Sequence, residues 1–125
     1  MGFLSKIHGS VSKSDVIEQF RRHHDTEDFE EECWTDRINA LDIWKLENIP
    51  VAKIFLYGDQ APVSEIFDED SEEKSQKFAK RKTKFPTIIV EKQNDKYITI
   101  DGAHRSRAAF LRGDSHIAAY VGSKK

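Results

Sequence analysis

The chain has 125 residues, which is about the length of one compact domain. Hydrophobic residues make up 38% and charged residues 34% of it, a composition typical of folded soluble domains rather than disordered segments. The formal net charge of −2 argues against a dedicated nucleic-acid binder, which is usually strongly basic. No apolar run approaches the roughly 20 residues of a membrane span. Since Cys33 is the only cysteine, no internal disulfide is expected, and we predict a cytoplasmic protein.

Residues 1–45 are predicted to form an N-terminal helical extension. Asp15 and Glu18 form a capping pattern for a first helix. A second helix is predicted over about 27–44 from apolar residues at helical spacings. These residues are Phe29, Cys33, Ile38, Leu41 and Trp44. We expect residues 14–45 to bind a protein partner or to form a homodimer.

Residues 46–125 are predicted to form the main domain. A strand over 52–56 is followed by a loop and by a helix over 64–82, whose acidic first half and basic second half complement the helix dipole. Because few apolar residues line this helix, it should lie largely in water. Lys77–Arg81 is its basic region, and it is the segment that would contact nucleic acid if the protein binds any.

The last third of the chain alternates strands with one helix. The apolar run 87–90 and the segment 97–100 are predicted to pair as a hairpin. A helix is predicted over 103–112, ended by Gly113, and a last strand over 117–121.

The segment from Tyr97 to Gly113 carries the clearest functional signal. A strand passes through Gly102 directly into a helix, and the first turn of any helix leaves backbone N–H groups without intrahelical partners at its positive end. Such a turn binds anions, and a glycine lets a ligand approach the backbone closely. We therefore predict a phosphate or nucleotide site. Its residues are Gly102, Ala103, His104, Arg105, Ser106 and Arg107.

The periodicity of this helix predicts which side chains it buries. The predicted apolar arc consists of Phe110, Ala103, Leu111 and Ala108. Arg105 and Arg112 are predicted to point to the opposite side. Arg107 falls inside the arc, so its guanidinium needs a partner, either a carboxylate or a bound phosphate.

The pattern D-G-A-H-R-S-R-A-A over residues 101–109 resembles the ParB/sulfiredoxin superfamily. In that family a G-x-H-R or G-x-R-R box opens a helix and contacts phosphates. Residues 49–54 look like the first strand of the family, and residues 85–90 look like its central strand, entered through a proline. The resemblance covers about residues 46–122. It implies an α+β fold with a small mixed β-sheet packed with helices, to which this chain adds the N-terminal helical extension.

The members of this family differ in chemistry. Sulfiredoxins carry a catalytic cysteine inside the box, where this chain has Ala103, so sulfiredoxin chemistry is not expected. Free-serine kinases of this fold carry a D-G-x-H-R box, which residues 101–105 match. The resemblance to them implies catalytic roles for Asp101 and His104. It also implies an acidic base in the loop after the first strand, for which Asp59 is the nearest candidate by position.

The first functional hypothesis is a nucleotide-binding enzyme that takes ATP, ADP or CTP with Mg²⁺. Phosphoryl transfer or nucleotide hydrolysis would be its reaction, since positioning and charge neutralisation are the main tasks there. One alternative is a DNA-associated ParB-like module or nuclease of a phage or plasmid. Another is a non-catalytic protein-interaction module. His8, His23 and His24 lack the spacing of a metal site, and no protein-bound metal is predicted.

Overall fold

The computed structural model describes residues 10–23, 36–56, 61–65, 69–81 and 85–124. Within them lie six strands: β1 Ile43–Pro50, β2 Ile54–Leu56, β3 Ala61–Pro62, β4 Ile88–Gln93, β5 Lys96–Asp101 and β6 His116–Ser123. The helices are α1 Lys13–His23, α2 Glu69–Ala79 and α3 Ala103–Arg112, and a 3-10 turn covers Val51–Lys53. None of the described helices is long and apolar enough to cross a membrane.

The six strands form one mixed sheet in the order β1-β6-β4-β5-β2-β3. The pairs β4–β6 and β2–β5 are parallel, and the other neighbours are antiparallel. The predicted hairpin is confirmed as β4 and β5, which pair antiparallel around a turn at Asn94. Asn94 has a φ of 56°, a left-handed conformation that asparagine tolerates well. The predicted fold class, α+β with a small mixed sheet packed with helices, is confirmed.

Both faces of the sheet are covered, because successive side chains of β4 point to opposite sides. Ile88 and Val90 belong to one hydrophobic cluster, which also contains Ala109 of α3. Ile89 belongs to a second cluster, which contains Val16 and Phe20 of α1. The N-terminal helix therefore packs into the core of the same sheet that carries α3.

Two predictions for the N-terminal part of the chain differ from the structure: the extent of the second helix and the position at which the main domain begins. Residues 36–39 are helical, as predicted, and residues 24–35 lie outside the described part of the chain. The helix prediction is wrong at Ile43 and Trp44, which begin β1. The spacing from Leu41 to Trp44 suits a helix, but Trp44 reaches the same apolar cluster from a strand. The predicted division at 45/46 falls inside β1, which pairs with β6 along its full length.

Two further elements are shorter than predicted. The strand predicted over 52–56 is reduced to Ile54–Leu56, because Val51–Lys53 form the 3-10 turn. Of the helix predicted over 64–82, the structure describes Glu69–Ala79. This helix does not lie only in water, since Ser75 is buried and α2 packs against α3.

Candidate functional site

Gly102 connects β5 to α3 with a backbone conformation that requires glycine. Its φ of 110° and ψ of 23° are left-handed, and it is the N-cap residue of α3. A Cβ atom at this position would lie 2.4 Å from Cγ2 of Ile88. The side chain of Ile88 thus occupies the space beside the turn. The helix bounds predicted from the sequence, 103–112, are confirmed, and so is the stop at Gly113, which has a φ of 85°.

Two residues on either side of this turn form a buried ion pair. Nη2 of Arg105 donates to Oδ2 of Asp101 at 2.9 Å, and the two side chains are 2% and 4% exposed. Nη1 of Arg105 donates to the carbonyl oxygens of Pro86 and Thr87, each at 3.1 Å. Arg105 therefore ties the end of β5 to the segment that enters β4.

A second ion pair joins α3 to α2. Nε and Nη2 of Arg107 donate to the two carboxylate oxygens of Glu72 at 2.9 and 2.8 Å, and Nη1 donates to the carbonyl oxygen of Val63 at 2.8 Å. These hydrogen bonds lower the pKa of Glu72 and raise that of Arg107, although burial opposes both shifts. Of the two partners that the sequence analysis allowed for Arg107, the structure contains the carboxylate.

The other residues of the predicted site lie in the same first turn. Ser106 is fully buried, and both its backbone N–H and its hydroxyl donate to the carbonyl oxygen of Gly102 at 2.8 Å. His104 is 4% exposed. Ala103 is half-buried and packs beside the core cluster. The turn is therefore reached from solvent chiefly at Ala103, and its charged side chains are directed to protein partners.

The buried surface of α3 is not the predicted arc. Phe110 and Leu111 are 38% and 39% exposed, whereas Arg105, which the periodicity placed on the opposite side, is 1% exposed. The predicted arc rests on the assumption that α3 packs against the rest of the protein through one apolar face. Because α3 packs against both the sheet and α2, its buried surface is wider and contains two ion pairs that a count of apolar residues does not register.

The remaining predicted positions divide into two groups. Asp59, Cys33, His8 and His24 lie outside the described residues. The basic region predicted to contact nucleic acid, Lys77–Arg81, lies within the described residues: Lys77 pairs with Glu73 at 3.6 Å, and the guanidinium of Arg81 lies 4.6 Å from the centre of the Phe78 ring. No group of three His, Cys, Asp or Glu side chains that could hold a metal ion occurs in the part of the chain that the structure describes.

Sequence reasoning missed the acceptors that hold the two arginines. The carbonyl oxygens of Pro86, Thr87 and Val63 carry no sequence signal, because any residue supplies one. Glu72 is one of several acidic residues in α2, and nothing in its spacing distinguishes it. The only available signal was the position of Arg107 inside an apolar arc.

A cleft of about 270 Å³ lies at the other end of α3, and no pattern in the sequence predicts it. It is lined by Asn48, Phe85, Arg112, Asp114, His116, Ile117 and Ala118. The C-terminal ends of α3 and β1 meet the start of β6 there. Phe85, which lies three residues before β4, completes the lining.

No protein-family model matches the chain, and no curated protein sequence matches it. Among solved structures, the chain is similar to the crystal structure of sulfiredoxin from Arabidopsis thaliana, with 18% sequence identity and a TM-score of 0.41. The match covers 62% of this chain and 84% of that chain.

Proposed function

We propose that the N-terminus of α3 binds the phosphate groups of a nucleotide, and that the protein is a nucleotide-binding member of the ParB/sulfiredoxin-like superfamily. Phosphoryl transfer or nucleotide hydrolysis, with Mg²⁺ brought in by the nucleotide, is the proposed reaction. The observation that carries the proposal is the left-handed Gly102, the N-cap residue at which β5 turns into α3. The N–H groups of the first helical turn have no intrahelical acceptor, and the positive end of the helix dipole favours an anion there.

The proposal assigns Arg105 a positioning role. If Arg105 bound the phosphate directly, it would have to leave Asp101, whose side chain is 4% exposed. An uncompensated buried carboxylate costs about 3–5 kcal/mol, more than a single hydrogen bond to a phosphate returns. Arg105 therefore acts by holding β5 and the β4 entry around Gly102.

The same reasoning applies to Arg107. Its three donor nitrogens are engaged by Glu72 and Val63, so the proposal has Arg107 fix α2 against α3. The ligand contacts then fall to the backbone of residues 102–104, with His104 as the polar side chain nearest to them in sequence. Asp59, the acidic residue that the resemblance implies as the base, would orient the phosphate acceptor, because Asp101 is held by Arg105.

The two alternative functions have less support. In the nucleic-acid alternative, the basic residues of Lys77–Arg81 would have to give up the acidic partners that they have on the surface, such as Glu73, which lies 3.6 Å from Lys77. In the interaction-module alternative, residues 14–45 would bind another protein, but Val16 and Phe20 already cover the protein's own sheet.

The test replaces Ala103 by an isosteric pair. Ala103→Asp adds a negative charge at the first helical position, which suits the helix dipole but repels a phosphate. Ala103→Asn has the same shape without the charge, so it is the matched control. Titration of ATP, ADP and CTP with Mg²⁺ by calorimetry should show binding to the wild type and to Ala103→Asn, and at least about tenfold weaker binding to Ala103→Asp.

Two outcomes would contradict the proposal. One is the absence of measurable binding of all three nucleotides to the wild type. The other is equal affinity of the Asp and Asn variants, which would place the phosphates elsewhere. A thermal melt of each variant checks that it is folded, and hydrolysis of the bound nucleotide over time separates a binding protein from an enzyme.

A further inference from the structure

The cleft at the C-terminal end of α3 is separate from the N-terminal turn of the same helix. The helix has 10 residues, so its ends are about 15 Å apart at a rise of 1.5 Å per residue. At about 270 Å³ the cleft is slightly smaller than the usual range for small-molecule sites, which begins at roughly 300 Å³. A compact ligand of nucleoside size or smaller fits such a space.

The charged residues of the cleft neutralise each other. Nε and Nη2 of Arg112 donate to the same oxygen of Asp114, Oδ2, at 2.9 and 2.6 Å. Nη1 of Arg112 donates to the carbonyl oxygen of Arg81 at 2.9 Å. One cation and one carboxylate in contact leave no excess charge to attract an anion. The chemistry of the cleft thus differs from that proposed for the N-terminal turn.

The guanidinium of Arg112 also lies over an aromatic ring. Its guanidinium carbon lies 4.1 Å from the centre of the Phe85 ring, and Phe85 lines the cleft together with Ile117 and Ala118. Guanidinium planes and aromatic rings both stack well against planar ligands. These residues give the cleft a flat, partly apolar wall suited to a heterocycle.

The polar atoms of the cleft determine which hydrogen-bonding groups the edge of that heterocycle must carry. Both hydrogen bonds to the Asp114 carboxylate use Oδ2, and Oδ1 accepts none within the described residues. A single carboxylate oxygen accepts from one exocyclic amino group, and the side-chain amide of Asn48, which also lines the cleft, offers a donor and an acceptor. Carboxylates and amides are the groups with which proteins read amino-bearing bases.

We propose that this cleft binds a nucleobase with an exocyclic amino group, such as cytosine or adenine, through Oδ1 of Asp114. The proposal does not depend on the phosphate site at Gly102. Nucleosides carry no phosphate, so their binding tests the cleft alone. Either the cleft proposal or the phosphate-site proposal can therefore be contradicted while the other stands.

Cytidine and uridine are matched ligands, since an amino group in one replaces a carbonyl oxygen in the other. We expect cytidine and adenosine to shift the amide resonances of Asp114, His116 and Ile117 in a saturable way. Uridine should bind at least about tenfold more weakly, because its carbonyl oxygen would face the carboxylate. Asp114→Asn should remove the preference for cytidine over uridine. Asp95→Asn makes the same chemical change in the exposed hairpin turn and should leave it intact.

Three results would overturn the proposal: no saturable binding of either amino-bearing nucleoside, equal binding of cytidine and uridine, or equal effects of the two Asp→Asn variants. If Asp114→Asn does not fold, Asn48→Ala replaces it, because Asn48 is exposed and its loss should weaken cytidine binding about tenfold. The comparison of cytidine with uridine on the wild type needs no variant.

Discussion

Arg105 donates to the carboxylate of Asp101 across the glycine turn between them, at 2.9 Å and almost completely out of water. The residues are four apart in sequence, but one ends a strand and the other lies in the first turn of a helix. The pair therefore fixes the angle at which α3 leaves the sheet.

Arg105→Ala should lower the free energy of unfolding by about 3–5 kcal/mol, because it leaves the Asp101 carboxylate buried and uncompensated. Urea unfolding measures this loss. Arg22→Ala is the control, since the Arg22–Glu18 pair has side chains 68% and 60% exposed and should contribute about 1 kcal/mol or less. Equal losses in the two variants would mean that the buried pair does not stabilise the turn.

Gly102→Ala should destabilise the protein far more than Gly113→Ala. Both residues have positive φ, which costs an L-residue about 1–2 kcal/mol. At Gly102 the new Cβ would also meet Cγ2 of Ile88 at 2.4 Å, and such overpacking adds about 1–3 kcal/mol. At Gly113 nothing lies within 4 Å of the new atom. Thermal melts of the two variants give the comparison, and similar melting temperatures would contradict the close packing at Gly102.

Glu72→Gln tests the link between α2 and α3 through pH. The hydrogen bonds from Arg107 lower the pKa of Glu72 in the folded protein, so its contribution to stability is present above the ordinary glutamate value of 4.5 and is lost as the pH falls through the lowered pKa. The wild type should therefore be more stable than Glu72→Gln at neutral pH, and the gap should close in acid.

Glu73→Gln is the matched control for this series. Glu73 forms an ion pair with the exposed Lys77. Removing the charge of Glu73 should therefore change the free energy of unfolding by about 0.5 kcal/mol or less. Unfolding measured from neutral pH into acid separates the two variants. A gap between wild type and Glu72→Gln that stays constant with pH would contradict the assigned ion pair.

The sequence predicted the C-terminal half of the fold closely. The helix 103–112, its stop at Gly113 and the β4–β5 hairpin follow from local signals: glycines where φ is positive, and apolar runs between polar turns. The N-terminal half was less predictable. Ile43 and Trp44 read as the end of a helix, and only the pairing of β1 with β6, a contact distant in sequence, makes them a strand.

The candidate site shows the same division. Its position at Gly102 follows from residue types, and the burial of Arg105 does not. Periodicity alone places Arg105 on the outer side of α3, because it takes no account of carbonyl oxygens that approach from Pro86 and Thr87. The cleft around Arg112 and Asp114 was invisible for a similar reason, since it is formed by ends of elements that are far apart in sequence.

The most direct test of the central claim is a titration of the ¹⁵N-labelled protein with ADP and Mg²⁺, followed through its backbone amides. The account predicts saturable shifts that are largest at Gly102, Ala103 and His104. It further predicts that Ala103→Asp removes them and Ala103→Asn does not. Shifts confined to other parts of the chain, or no saturable shift at these three amides, would contradict a phosphate site at the start of α3.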